Sequence, residues 1–125
     1  MSARLQDHAR PDAAQVASKA LLRAASLLGV SARELAPVVG LSEASVSRLK
    51  AGSGSTLTGK PYELALLFIR LFRSLDALTG GDAASARAWM RAPNAVLGAA
   101  PVERIARIDG LVETLAYLDA RRAPL

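Results

Sequence analysis

From Lys60 to Gly80 the chain reads KPYELALLFIRLFRSLDALTG, and few folds can accommodate such a stretch. Pro61 suits the first turn of a helix, where its missing N–H costs nothing and its φ is already set. Gly80 and Gly81 supply the stop. Between them Leu64, Ala65, Leu66, Leu67, Phe68, Ile69, Leu71, Phe72, Leu75 and Leu78 point around nearly the whole circumference. A surface helix shows one apolar stripe, so this one is expected to be covered on several sides. The unbroken apolar run ends at Arg70, well short of the ~20 residues a bilayer needs. The stretch reads as a central core helix, and in a sharper version one of its faces packs against a second copy of the chain.

The rest of the chain has to wrap that helix. Helix formers dominate, β-branched residues are sparse and no segment alternates with period two, so the fold class expected is all-α. The 125 residues suffice for one compact domain or two very small ones sharing a core, and at 51% apolar content the chain can bury that core. There is no cysteine, which excludes disulfides and cysteine-ligated zinc and fits a reducing cytoplasm. Met1–Ala14 has no apolar core of the kind a signal peptide needs.

The net charge of +5 is unevenly placed. Met1 to Arg73 carries ten basic and five acidic residues, whereas Ser74 to Leu125 carries six of each. A basic excess confined to one part of a small protein points to a polyanion there, most often nucleic acid, although an ordinary solvated surface would look the same.

In chain order, residues 1–15 read as a flexible arm. His8 lies in it, and with no second histidine it has no partner for metal or catalytic work. Ala13–Leu28 has helical apolar spacing at Val16, Ala20, Leu21, Ala24, Leu27 and Leu28, ended by Gly29. Ser31-Ala32-Arg33-Glu34 has the form of a capping box, and a short helix follows to about Val39. Gly40 marks a tight turn. Ser42 can cap a second short helix from Glu43 to about Lys50, closed by Gly52.

Two short helices joined by about four residues have the spacing of a DNA-binding helix-turn-helix. Ala36 is small where the helices would cross. Leu35, Val39, Leu41, Val46 and Leu49 supply the apolar contacts that fix their angle. The remaining face of the second helix is Ser42, Glu43, Ala44, Ser45, Ser47, Arg48 and Lys50, the candidate DNA-binding residues. Their side chains are short near the helix start and basic toward its end, which allows close approach to a groove floor and supplies charge for phosphates. Arg48 would take a guanine or hold a phosphate; Ser42 and Ser45 suit phosphate or base edges; Glu43 would accept from a cytosine amino group or simply favour the helix dipole. Pro37 is the discordant residue. It removes the bond to the Arg33 carbonyl and marks a point where the first helix can kink and tilt the second.

After a flexible link at Gly52–Ser55 and the central helix, Asp82 can cap a helix Ala83–Arg91. A turn-rich run Trp89–Pro101 then reads equally as a structural corner or a recognition loop. Pro101 opens a helix expected to span Val102–Arg107, and a last helix runs from about Asp109 to Arg121 with Leu111, Leu115 and Leu118 along one face. No His–carboxylate pair, Gly-rich phosphate loop or metal-spaced acidic cluster is visible, so neither an enzyme, a cofactor nor a metal site is expected.

Three stretches, LALLFIRLFRSLDALTGGD at Leu64–Asp82, WMRAPNAVLGAAP at Trp89–Pro101 and GLVETLAYLD at Gly110–Asp119, resemble the toxin-binding domain of Xre/MbcA/ParS-type antitoxins, partners of RES-domain toxins. With the helix-turn-helix upstream, the resemblance covers the chain from about Val16. It implies an antitoxin of a type II toxin-antitoxin system, a homodimer that blocks an NAD-consuming RES toxin and represses its own operon. It also implies a division into a helix-turn-helix domain at 16–60, the central helix at 61–80 and a toxin-binding domain at 81–125. Toxin contacts would then come from Trp89, Pro93, Asn94, Leu97 and Gly98 at the corner, and from Leu118, Asp119, Arg121 and Arg122 at the end. There, Arg121 or Arg122 would pair with acidic groups of the toxin, or Asp119 or the terminal carboxylate would imitate the NAD pyrophosphate. The rival readings are a dimeric helix-turn-helix regulator without a toxin and a helical adaptor that binds no DNA.

Overall fold

The computed structural model describes residues 12–52 and 56–122. His8, most of the arm, Ser53–Ser55 of the link and the terminal carboxylate lie outside the described residues. Within them the chain forms seven helices: α1 (Ala13–Leu28), α2 (Ala32–Val39), α3 (Glu43–Ala51), α4 (Gly59–Leu78), α5 (Ala83–Arg91), α6 (Pro101–Arg104) and α7 (Ile108–Arg122). The fold is all-α. Its one β-like contact among the described residues is an isolated antiparallel bridge between Asn94 and Ala99.

Most helix starts follow from local chemistry. Asp12 accepts a hydrogen bond from the Gln15 N–H at 2.7 Å, Ser42 from Ser45 at 3.0 Å and Asp82 from Ala84 at 3.1 Å. Each satisfies a donor that a helix leaves orphaned in its first turn. The capping box at α2 is complete in both directions: the Glu34 N–H donates to Ser31 Oγ, and the Ser31 N–H donates to Glu34 Oε1. Gly29 and Gly40 end α1 and α2 at φ 67° and 69°, a conformation that a side chain at Cβ disfavours.

Helix α4, 20 residues and so roughly 30 Å long, is the hub. It packs against α1, α2, α5 and α7. Ala65, Phe68, Leu71 and Leu75 are buried. The covering is not complete, because Leu66 and Leu78 stay 44% and 41% exposed. The core runs without a break from Leu21, Leu28, Leu35 and Val39 through Phe68, Leu71 and Leu75 to Met90, Ile105, Leu111 and Leu118. Both halves of the chain therefore share one interior.

Helix α2 runs its eight residues to Val39, as expected, with Pro37 inside it. The proline is exposed, so the bond it cannot give to the Arg33 carbonyl costs little where water is at hand. One local expectation needs correcting. Helix α6 is shorter than the expected Val102–Arg107 and stops at Arg104. The chain turns after Arg104, and Gly110 lets α7 come close behind the turn: a Cβ added there would stand 1.9 Å from the Arg104 carbonyl oxygen.

Candidate nucleic-acid interface and partner surfaces

Helix α3 turns Val46 and Leu49 inward, at 0% and 7% exposure, against α2. The seven side chains expected to meet DNA are thereby left outside. Ser42, Glu43, Ala44, Ser47, Arg48 and Lys50 are exposed and Ser45 is half-buried. Three of them form a hydrogen-bonded ridge at i, i+3 and i+6. Ser42 Oγ donates to Ser45 Oγ at 3.0 Å, and Arg48 Nη2 donates to the same Ser45 Oγ at 3.0 Å. The guanidinium of Arg48 is drawn along the helix face rather than trailing in solvent.

The basic excess of the N-terminal portion also has a physical form. Among the described residues Lys19, Arg23, Arg33, Lys50 and Arg73 have no carboxylate within ion-pair distance. All five precede Ser74. By contrast every arginine after Ser74 is engaged. Arg87 donates to the Leu27 carbonyl, Arg91 pairs with Glu34, Arg104 with Glu113 and Arg107 with Asp109. Arg121 lies 4.4 Å over the Tyr117 ring, and Arg122 donates to Ser74 Oγ at 3.0 Å.

Lys19 is a residue that reading α3 alone passes over. It lines a groove between α1 and the end of α3, together with Gln15, Ser18, Leu22, Lys50 and Thr56. Arg23 follows Lys19 by four residues on the same helical face. The i, i+4 spacing of Gln15, Lys19 and Arg23 was available in the sequence as a polar ridge on an otherwise apolar helix.

In the C-terminal half the corner after α5 is organised by Asn94. Its Oδ1 accepts from the N–H groups of Val96 and Leu97, at 3.0 and 3.1 Å. Its carbonyl accepts from Gly98 at 2.8 Å, and its N–H donates to Ala99. Pro93 and Gly98 are exposed, and Val96 stands at the tip, 72% exposed. Trp89 is half-buried and stacked on Tyr117, with ring centroids 6.2 Å apart and planes 24° apart. The Trp89–Tyr117 stack joins α5 to α7, and Arg121, one turn after Tyr117, also lies over the tyrosine ring.

Two residues expected at a partner contact turn inward instead. Leu97 is 8% exposed and Leu118 is 1% exposed. Leu118 lies three residues after Leu115 on the face that α7 presses on α4, and it belongs to the core. Asp119 has both oxygens occupied, one by Arg70 at 2.7 Å and the other by the Ser74 hydroxyl at 2.8 Å. The sequence reading also missed an outward stripe on α7. Ile108 and Val112 are 66% and 51% exposed, and Ala116 and Ala120 continue the same four-residue spacing on the exposed side.

Among the described residues no three His, Cys, Asp or Glu side chains converge as metal ligands, and no helix is long and apolar enough to cross a membrane.

Two family descriptions match the chain. Residues 7–70 match the antitoxin Xre-like helix-turn-helix domain, and residues 74–123 match the antitoxin Xre/MbcA/ParS C-terminal toxin-binding domain. No curated protein matched it.

Proposed function

The chain belongs to the Xre-like antitoxins, which are non-enzymatic regulators with a DNA-binding and a toxin-binding part, and from that premise we propose that it neutralises a RES-domain toxin and represses its own operon. The observation that carries the DNA half of this reading is the outward ridge Ser42–Ser45–Arg48, on the half whose Lys19, Arg23 and Lys50 have no carboxylate partner among the described residues. Each protomer would lay α3 in a major groove. A homodimer would reach two half-sites about 34 Å apart, or a multiple of that. The groove between α1 and α4, lined by Val16, Tyr62, Leu66 and Ile69, supplies apolar surface for such a dimer.

The toxin would be met by exposed apolar groups beyond α4: Val96 at the Asn94 corner, with Pro93 and Gly98 beside it, and the α7 stripe through Ile108 and Val112. Of the two chemistries open at the end of α7, this arrangement favours the cation. Asp119 is held by Arg70 and Ser74, whereas Arg121 is exposed over the Tyr117 ring, where it can also reach an acidic group.

Co-expression tests the proposal. The full chain is expected to rescue growth from the toxin encoded beside its gene. Val112→Asp combined with Arg121→Glu is expected to abolish rescue while leaving operator retardation intact. A double variant that still protects moves the toxin contact elsewhere. A wild-type chain that retards its upstream DNA but co-purifies with no toxin favours a simple dimeric regulator.

A further inference from the structure

Helix α5 belongs to the segment matched as toxin-binding, yet two of its arginines act on the other half. Arg87 and Arg91, one turn apart, both reach the corner between α1 and α2. Arg87 Nη1 donates to the Leu27 carbonyl at 3.3 Å, and Arg91 Nη2 donates to the Gly29 carbonyl at 2.6 Å. Arg91 also forks onto Glu34, with Nη1 to Oε2 at 2.6 Å and Nη2 to Oε1 at 2.8 Å. These contacts span 57 to 62 residues of sequence.

The place they reach is sensitive. The last turn of α1 contains no basic residue, so α5 supplies the cation that its free carbonyls attract. Glu34 is the acidic half of the α2 capping box, and the same Oε1 that receives Arg91 also accepts from the Ser31 N–H. One guanidinium thus ties the end of α1 to the start of α2, and α2 is the helix against which α3 packs. The opposite side of α5 carries Trp89 in its stack with Tyr117 of α7.

We propose that Arg91 is a positioning residue for operator recognition: from within the toxin-binding half it fixes the α1–α2 corner, and so the angle at which α3 meets DNA. This rests on the DNA-binding reading above. It makes the two activities mechanically dependent, because a shift of α5 is passed through Arg91 to the corner that sets the recognition helix.

The test uses the purified full chain and a labelled duplex from upstream of its own gene, at a temperature where circular dichroism shows every variant folded. Arg91→Ala is expected to bind the duplex about five- to tenfold more weakly, the size of a moderate coupling between sites. Its dependence on salt should match the wild type, because Arg91 touches no phosphate. Glu34→Gln should weaken binding similarly, and the double variant should be no worse than either alone. Arg91→Lys, which keeps the charge but loses the fork, should fall between wild type and Arg91→Ala. If Arg91→Ala does not fold, Arg91→Lys and Glu34→Gln carry the comparison. Wild-type affinity in the variants overturns the proposal, as does a shallower salt dependence, which would mean direct phosphate contact, or losses that multiply in the double variant. A wild-type chain that binds no such duplex overturns instead the reading on which the proposal rests.

Discussion

Glu34 closes the capping box of α2 and receives the fork of Arg91, and its ionisation records both. Hydrogen bonding to Arg91 does most to hold the carboxyl down at about 2 from an ordinary 4.5; partial burial opposes this and the Ser31 N–H adds to it. A carboxyl depressed in the folded state stabilises the protein fully above its unfolded value and loses that contribution as pH falls through the folded one. Wild type is therefore expected to exceed Glu34→Gln by ~1 kcal/mol near neutrality, most of the shift being screened at a pair this exposed. The gap should shrink below about pH 4.5 and close near pH 2, as read by urea denaturation across that range. Gly110 is constrained in a different way. An added methyl group would meet backbone, the Arg104 carbonyl at 1.9 Å, and no rotamer can move that aside. Gly110→Ala is expected to cost ~3 kcal/mol or more by chemical denaturation, the upper end for overpacking. Gly52→Ala is the contrasting control, since its added Cβ has open space and only the left-handed φ to strain.

At the scale of elements, α3 and α1 should affect DNA binding in distinguishable ways. Arg48→Ala is expected to lower operator affinity by ~1–3 kcal/mol if its guanidinium reads a base, with the loss concentrated on the cognate sequence. Lys19→Ala, on the α1 ridge, should weaken binding to all sequences alike and reduce the slope of log affinity against log salt by about 1. Anisotropy titrations at several salt concentrations separate the two. Much of this layer was legible in the sequence. The caps at Ser31, Ser42 and Asp82 and the stops at Gly29, Gly40 and Gly52 are local chemistry, and the helices they bound lie where that chemistry puts them. The misses have different origins. Helix α6 stops at Arg104, six residues before the glycine that lets α7 come close. The spacing of the last helix already put Leu118 on the apolar face with Leu111 and Leu115, and only the resemblance assigned it to a partner, whereas Leu97 is taken inward by packing that no helical period covers. The engagement of Asp119 by Arg70 and of Glu34 by Arg91 crosses 49 and 57 residues, so no window of sequence contains either pair.

At the scale of the whole molecule, α4 carries the cost of assembly. Phe68 is fully buried on the helix that α1, α2, α5 and α7 all touch. Phe68→Ala is expected to destabilise by ~3–5 kcal/mol. It should do so in a single cooperative transition, seen together by circular dichroism and by Trp89 fluorescence, because both halves share one core. Two separate transitions would show that the halves melt independently.

The two family segments abut between residues 70 and 74, and α4 spans Gly59–Leu78. The border between inherited parts therefore falls inside an unbroken rod. A chimera that grafts a relative's tail at that border would splice the rod mid-turn. Its donor would have to bring an Asp119 that still meets the recipient's Arg70, with its own Ser74 on the other carboxylate oxygen. Swaps made at the loop around Gly80, beyond the rod, would leave that ladder of contacts to be matched only across α7.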